Sequence, residues 1–516
     1  MNELVHALLK QGYLIEQSAI DFLSNENLSE INMQQNILLL NPPKFITKQF
    51  ILENILKIIA NFKNQQIKQE AINYLYSFIE SKKTEEQEKE IIKTNELLEE
   101  FKKRKVQIIE SPEIKNKKIS VEDFVDYFKN RYTVLKKILQ EKNLENLSSI
   151  GKISNQRKNL SIIGMVYNKR YTKNKNLLLE IEDLTGKITV LVNCSKKELF
   201  EKAKDLVLDE VIAISGNGSS EIFFANDLFF PEMGLDERKK SPEDEYAVFA
   251  GDFHVGSKLF LEENYNRFKN WINGELGNEE QRETAKKVKY MFVVGDLVEG
   301  VGIYPSQEKD LAIKDIYNQY KKFTELIKSI RKDITIIICP GNHDAVRLVE
   351  PQPSIEKSFI PELREMENVF LTTNPSTVNI GKTETFSGFN VLIYHGFSFC
   401  HYMDNVDSLR MANAKTKPDL VMHFLLKRRH LAPTHASTTY LPNEKDFLLI
   451  EHSPDIFIAG HMHHTAVSHY NNILTLCCSS WIPKTTNQEK LGLEPDPCKV
   501  PIMHLKTGKV SILDFS

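Results

Sequence analysis

Five short polar phrases, each following an apolar run, carry the residues of this chain that could do chemistry. They are Gly251-Asp252-Phe253-His254, Gly295-Asp296, Gly341-Asn342-His343-Asp344, Tyr394-His395-Gly396 and Gly460-His461-Met462-His463. Carboxylate, imidazole and amide donors suit hard or borderline divalent cations such as Mn²⁺, Mg²⁺, Fe²⁺ or Zn²⁺, and no thiolate stands among them for a softer ion. The adjacent glycines let the backbone bend tightly, so that an i, i+2 pair at a strand end can aim two side chains at one ion. Most of the 14 histidines lie after residue 250, a clustering that points to a metal site. The six cysteines show no CxxC pair and no regular spacing. Neither a zinc ribbon nor a disulfide framework is indicated, and they read as buried thiols.

Side chains so far apart in sequence can meet only if regular elements carry them. The runs Ala247–Ala250, Tyr290–Val294, Ile334–Cys339, Val391–Tyr394 and Ile456–Ala459 predict strands ending at the five phrases, with helices between them. Open α/β sheets place ligands at the carboxyl ends of their strands, so the site is expected there. Upstream, Leu160–Tyr167, Leu177–Ile181, Ile188–Val192, Val211–Ser215 and Glu221–Phe224 predict five short strands separated by Gly, Asn and Asp. That pattern is similar to an OB-fold, a small barrel that binds single strands or protein partners. Lys169, Arg170, Tyr171 and Lys173 fit either a nucleic-acid groove or a solvated hairpin tip. Ser120, with Asp123 three residues on, reads as a helix start; Val121, Phe124, Phe128, Tyr132, Leu135 and Leu139 then form the face of a packing helix. Residues 1–75 carry apolar positions at helical spacing. Fifteen of the 25 residues from Ser81 to Lys105 are charged, which predicts a solvated helix or disordered linker.

The expected architecture is mixed α/β over several domains: a small helical N-terminal domain (1–75), a charged linker (76–119), a packing helix and connection (120–150), a five-stranded OB-like barrel (151–240) and an α/β sandwich (241–516). With 516 residues, 41% of them hydrophobic and 27% charged, both a single small fold and wholesale disorder are excluded. Lys and Arg number 67 against 70 Asp and Glu, a formal net charge of -3. No global positive field marks a nucleic-acid binder, so any DNA contact must be a local patch. Glu3 and His6 interrupt the start where a signal peptide needs a basic stretch and an apolar core. No run of about 18 apolar residues occurs, and a cytoplasmic protein without membrane contact is expected.

Taken in order, the five phrases resemble the signature of the calcineurin-like metallophosphoesterase superfamily, DxH, GD, GNHD, H and GHxH, complete within residues 247–470. By motif position the resemblance implies one divalent ion on Asp252, His254 and His463, a second on Asn342, His395 and His461, and Asp296 bridging them. Mn²⁺ is favoured, with Mg²⁺, Fe²⁺ or Zn²⁺ as alternatives. It also implies His343 as general acid, with Asp344 holding its tautomer. Three further phrases narrow the family. These are Val121–Phe128 with Arg131-Tyr132, the extension through Arg347 to Glu350-Pro351-Gln352-Pro353, and Lys427–Pro433. With the domain order, they are similar to the small subunits of archaeal D-family DNA polymerases.

This second resemblance implies a 3′–5′ exonuclease that proofreads for a separate large catalytic subunit, releasing nucleoside 5′-monophosphates from a frayed primer end. The large subunit and DNA would be its partners. A sliding clamp would be reached through the complex, since Ser511–Ser516 carries no clear clamp-binding motif. Arg347 and the cluster Lys427, Arg428, Arg429 and His430 are candidate contacts to the DNA backbone, or else a solvated basic helix or subunit contact. Two other readings stay open: a non-catalytic scaffold for the polymerase subunit, and a stand-alone phosphodiesterase or repair nuclease.

Overall fold

The computed structural model describes residues 13–16, 45–46, 106–112, 118–155 and 157–516. The chain divides into two units, Met1–Lys105 and Val106–Ser516. In the first, β1 (Leu14–Ile15) pairs in parallel with β2 (Phe45–Ile46), a strand contact inside the stretch expected to be helical. The helices expected over 1–75 and the charged run 81–105 otherwise lie outside the described residues.

The second unit begins with a correction to the expected linker. Residues 106–110 form an edge strand, β3 (Val106–Glu110), antiparallel to the strand Ser376–Ile380. Val106, Ile108 and Ile109 are β-branched and suit a pleated edge. The charged run that ends at Lys105 hid them in a window of composition. Helix α1 (Val121–Gln140) starts with a capping box, Ser120 and Asp123 each closing on the other's backbone.

Five strands follow: β4 (Lys158–Tyr171), β5 (Leu177–Asp183), β6 (Gly186–Val192), β7 (Val211–Gly218) and β8 (Phe223–Phe229). They close into a barrel in the order β4-β5-β6-β8-β7. Alternate side chains such as Leu177, Leu179 and Ile181, and Ile188, Val190 and Val192, fill its interior. Helix α2 (Lys197–Lys204) adds Leu199 and Ala203 to that core.

The remaining strands are β9 (Tyr246–Gly251), β10 (Val288–Val294), β11 (Thr335–Cys339), β12 (Val369–Leu371), β13 (Ser376–Ile380), β14 (Phe389–Ile393), β15 (Ile456–Ala459), β16 (Ala466–Tyr470), β17 (Ile473–Cys477), β18 (Lys499–His504) and β19 (Val510–Asp514). They make two six-stranded sheets, β12-β11-β10-β9-β18-β19 and β16-β17-β15-β14-β13-β3. Strands β9 to β12 run parallel, as do β14, β15 and β17.

Side-chain alternation explains why two sheets stack. Along β10, Met291 and Val293 face helices α3 (Glu262–Ile272), α4 (Glu279–Lys286) and α5 (Ile316–Lys328), whereas Tyr290, Phe292 and Val294 enter a core shared by both sheets. On β14, Val391 and Ile393 meet that shared core from the other side, while Leu392 and the following Tyr394 join an outer helical core. A register slip of one residue would exchange the two sets, so burial on both faces fixes the pairing.

Helix α1 joins barrel to sandwich. Its Tyr132, Leu135 and Leu139 pack on Ile163, Met165, Val211 and Ala213 of the barrel, while Tyr127 stacks on Tyr440 with ring centroids 4.6 Å apart. Among the described residues, no helix is long and apolar enough to cross a membrane.

Candidate metal centre

All five phrases sit at the carboxyl ends of parallel strands: Asp252 and His254 after β9, Asp296 after β10, Asn342 and His343 after β11, His395 after β14, and His461 and His463 after β15. The backbone there is strained. Asp252, His254, Asp296, His461 and His463 have φ of 49, 52, 47, 68 and 54°, a left-handed region that costs a non-glycine residue about 1–3 kcal/mol. Cross-links between the turns hold it. The Asp252 N–H donates to Gly295 O (3.0 Å), the His254 N–H to Asp296 O (2.9 Å) and the Trp481 N–H to Asp252 O (3.0 Å). Two glycines allow the turns to close: a Cβ on Gly295 would collide with His395 Nδ1, and one on Gly341 with Asp296 Oδ1.

The side chains converge into two groups. One donor atom each from Asp252, His254, Asp296 and His463 lie within 4.8 Å of one another, and the same holds for Asp296, His395 and His461. Asn342 Oδ1 lies 3.0 Å from His395 Nε2 and completes the second group. Asp296 belongs to both, its Oδ2 3.7 Å from His254 Nε2 and 3.3 Å from His395 Nε2. His463 Nε2 stands 3.5 Å from Asp252 Oδ1 and 3.1 Å from His254 Nε2. Two ring nitrogens facing each other at that distance, inside a ring of carboxylates, fit a shared cation, and the oxygen and nitrogen donors fit Mn²⁺, Mg²⁺, Fe²⁺ or Zn²⁺.

Burial and crowding set the charges. Burial would raise the Asp296 carboxyl, but His395 and His343 outweigh it and hold it well below the usual carboxylate range. Burial would lower His395, and Asp296 instead carries it up to about 9. For His461, burial and then His395 push it down to about 3. Asp344, buried and facing Asp296, is pushed up to about 7.

The structure reassigns several expected roles. His343 does lie beside the centre, its ring edge-on to His254 at 4.6 Å, and its N–H donates to Asp296 Oδ1 (2.8 Å). Its tautomer, however, is set by the Glu299 carbonyl, 2.8 Å from Nδ1, not by Asp344. Asp344 instead accepts from the Gly341 and Leu297 N–H groups (2.8 and 3.2 Å) and the Tyr320 hydroxyl (3.1 Å), pinning two turns together.

Arg428, Arg429 and His430 of the basic cluster are engaged within the protein. Arg428 is 3% exposed, ion-paired to Glu210 at 2.8 Å and bonded to Asp205 O at 2.7 Å. Arg429 donates to Pro231 O and Glu451 O (2.8 and 2.9 Å). The His430 ring is buried against Asp446 at 2.8 Å. Arg428 and Arg429 tie the sandwich to the barrel segment, while His430 pairs within the sandwich, because charges covered where two domains meet must be neutralised. Arg347 is half-buried and donates to Pro351 O (2.9 Å). Lys169 is likewise turned inward, donating to Leu206 O (2.9 Å), while Tyr171 remains exposed.

Residues outside the expected set complete the centre. The Glu299 carboxylate meets His254 Nδ1 at 3.0 Å, Gln488 of α6 (Thr486–Leu491) meets His463 Nδ1 at 2.8 Å, and Asn374 Oδ1 accepts from the His395 N–H at 2.8 Å. Asn374 is tied through Gln352 to Gly341 O, so the phrase Glu350–Pro353 carries a positioning link. Glu299 carried a faint signal, a carboxylate three residues past Asp296; Gln488 carried none.

The amino-acid sequence has matching relatives. Residues 247–467 match the family model of the DNA polymerase alpha/epsilon B-subunit, and residues 160–220 match that of the OB-fold nucleic acid binding domain. The DNA polymerase II small subunit of Archaeoglobus fulgidus is 34% identical over 512 residues, 98% of this chain and 96% of its own. That of Methanothermobacter thermautotrophicus is 37% identical over 396 residues, 76% of this chain and 79% of its own. That of Methanocaldococcus jannaschii is 35% identical over 416 residues, 78% of this chain and 68% of its own.

Proposed function

The chain belongs to the family of archaeal DNA polymerase II small subunits, the D-family type, and from that premise we propose that its centre hydrolyses 3′-terminal phosphodiesters as the proofreading exonuclease of a two-subunit polymerase. One observation carries the reading: seven donor side chains from five strand ends converge on two adjacent sites that share Asp296, with His343 beside them. A pure scaffold has no need of that convergence or of the strained turns that hold it.

When bound, two divalent cations, with Mn²⁺ favoured, would supply Lewis-acid charge to the phosphate and lower the pKa of the attacking water. Asp252, His254 and His463 would hold one, Asn342, His395 and His461 the other, and Asp296 both. The chain's own residues do the rest. As water attacks phosphorus and the P–O3′ bond breaks, His343 gives a proton from Nε2 to the departing 3′ oxygen, because its Nδ1–H is committed to the Glu299 carbonyl (2.8 Å). Asp344 keeps the turn bearing His343 against the turn bearing Asp296. An unpaired terminus reaches such a recess more readily than a paired one, which supplies selectivity for mismatches.

The large polymerase subunit is the proposed partner and a primer 3′ end the substrate, with a clamp contacted through the complex. The barrel serves as a surface for single-stranded DNA or the partner. The test is nucleotide release from primers labelled at the 3′ end, paired or mismatched, with Mn²⁺ or Mg²⁺ and with or without the large subunit. Wild type should release nucleoside 5′-monophosphates, and Asp296→Asn and His343→Ala should lose at least about 100-fold in rate. No release from the wild-type complex with two metals bound would sink the nuclease and leave a scaffold.

A further inference from the structure

We propose that Glu299 is a positioning residue that sets the tautomers of two site imidazoles at once, one beside each half of the chemistry; this deepens the nuclease reading and rests on it. Glu299 is 4% exposed. Its Oε2 lies 3.0 Å from His254 Nδ1, and its backbone oxygen lies 2.8 Å from His343 Nδ1. An ionised carboxylate and a carbonyl can only accept, so both Nδ1 atoms carry a hydrogen; this turns Nε2 of His254 toward ligation and makes Nε2 of His343 the atom that gains and gives the catalytic proton. For His254 that leaves the nitrogen that faces His463 and Asp296.

Glu299 is itself braced. The Tyr304 hydroxyl donates to its Oε1 (3.1 Å), Gln307 Nε2 donates to its carbonyl (3.0 Å), and its own N–H donates to Val255 O (3.0 Å). Val255 follows His254 directly, so Glu299 adds a further tie between the turn bearing His254 and the turn bearing Asp296. The arrangement is a carboxylate behind a ligating imidazole, whose loss typically costs about 10–100-fold in metal affinity. The carbonyl contact to His343 survives any change of side chain, so the effect of substitution is one-sided: the half of the centre built on His254 weakens and the half built on His395 does not.

The full chain, freed of metal and labelled with ¹⁵N-histidine, reads the tautomers by NMR, and titration with Mn²⁺ followed by EPR reads the two sites. Wild type should show His254 as a single Nδ1–H tautomer. Glu299→Ala should mix the tautomers and weaken one Mn²⁺ site by about 10–100-fold while sparing the other. Glu299→Gln, whose amide oxygen still accepts from Nδ1, should restore most of the affinity. Tyr304→Phe, which removes a brace and leaves the carboxylate, should weaken the same site less and serves if the alanine variant does not fold. Two unaltered Mn²⁺ sites with His254 unchanged in Glu299→Ala would overturn the inference and leave the nuclease standing. A wild type that binds no pair of ions would overturn the nuclease, while the tautomer spectrum would still decide the role of Glu299.

Discussion

Two buried polar clusters in the second unit are built on opposite principles. At the junction of helix α1, barrel and sandwich, Arg131 Nε meets Asp446 Oδ2 at 2.8 Å and Arg428 Nε meets Glu210 Oε2 at 2.8 Å. His430 is kept neutral there, pushed down to about 4 by burial and then by Arg131. In the candidate metal centre imidazoles and carboxylates crowd together, two ring nitrogens face each other at 3.1 Å, and five donors sit on left-handed backbone. The junction pairs its buried charges within the protein, whereas the candidate centre is a set of donors whose crowding a bound cation would relieve. Similar burial therefore serves cohesion in one place and, on the proposed function, chemistry in the other.

The comparison breaks first at the junction. Arg131→Met leaves the buried Asp446 without its guanidinium and should lower stability by about 3–5 kcal/mol, read by urea unfolding. A loss under about 1 kcal/mol would mean the ion pair is no keystone. In the centre the sign should reverse with metal. Mn²⁺ at about 100 times its Kd should stabilise the wild type by about 2.7 kcal/mol per site, Arg131→Met should keep that increment, and Asp296→Asn should lose it; equal increments in all three would erase the distinction between the clusters.

Acid should separate them next. His430 has its ordinary value of 6.5 when unfolded and about 4 when folded, so between those values the unfolded chain binds the extra proton. The stability it contributes is complete above about pH 6.5 and is lost as pH falls toward 4, by at most about 1.4 kcal/mol per unit. Urea midpoints at about pH 7.5 and about pH 5 should show this fall, and His430→Asn should flatten it. The smallest effect belongs to neither cluster. Lys314, paired with Glu308 in an ion pair that is 66% and 76% exposed, should change stability by under about 0.5 kcal/mol when replaced by alanine, which sets the baseline for the others.

The strands that carry the centre were legible because their apolar runs alternate into two cores and stop at glycine-flanked polar phrases, which are local properties of the chain. The donor set was legible for the same reason. The edge strand Val106–Glu110 was not, since its partner β13 lies far along the chain at Ser376–Ile380 and a charged run masks its start. The intramolecular partners of Arg428, Arg429 and His430 were not legible, because a basic run looks the same in sequence whether it meets phosphate, solvent or a neighbouring domain.

The sequence by itself determined which side chains could ligate a metal and which strand ends present them, through periodicity and turn chemistry within a few residues. Only the tertiary structure decided their partners: Glu299 behind His254, Gln488 behind His463, and Arg131 on Asp446 across 315 positions. Burial makes the reason physical. A donor removed from water must find its acceptor wherever the fold brings one near, and that proximity is a property of packing that no spacing along the chain encodes.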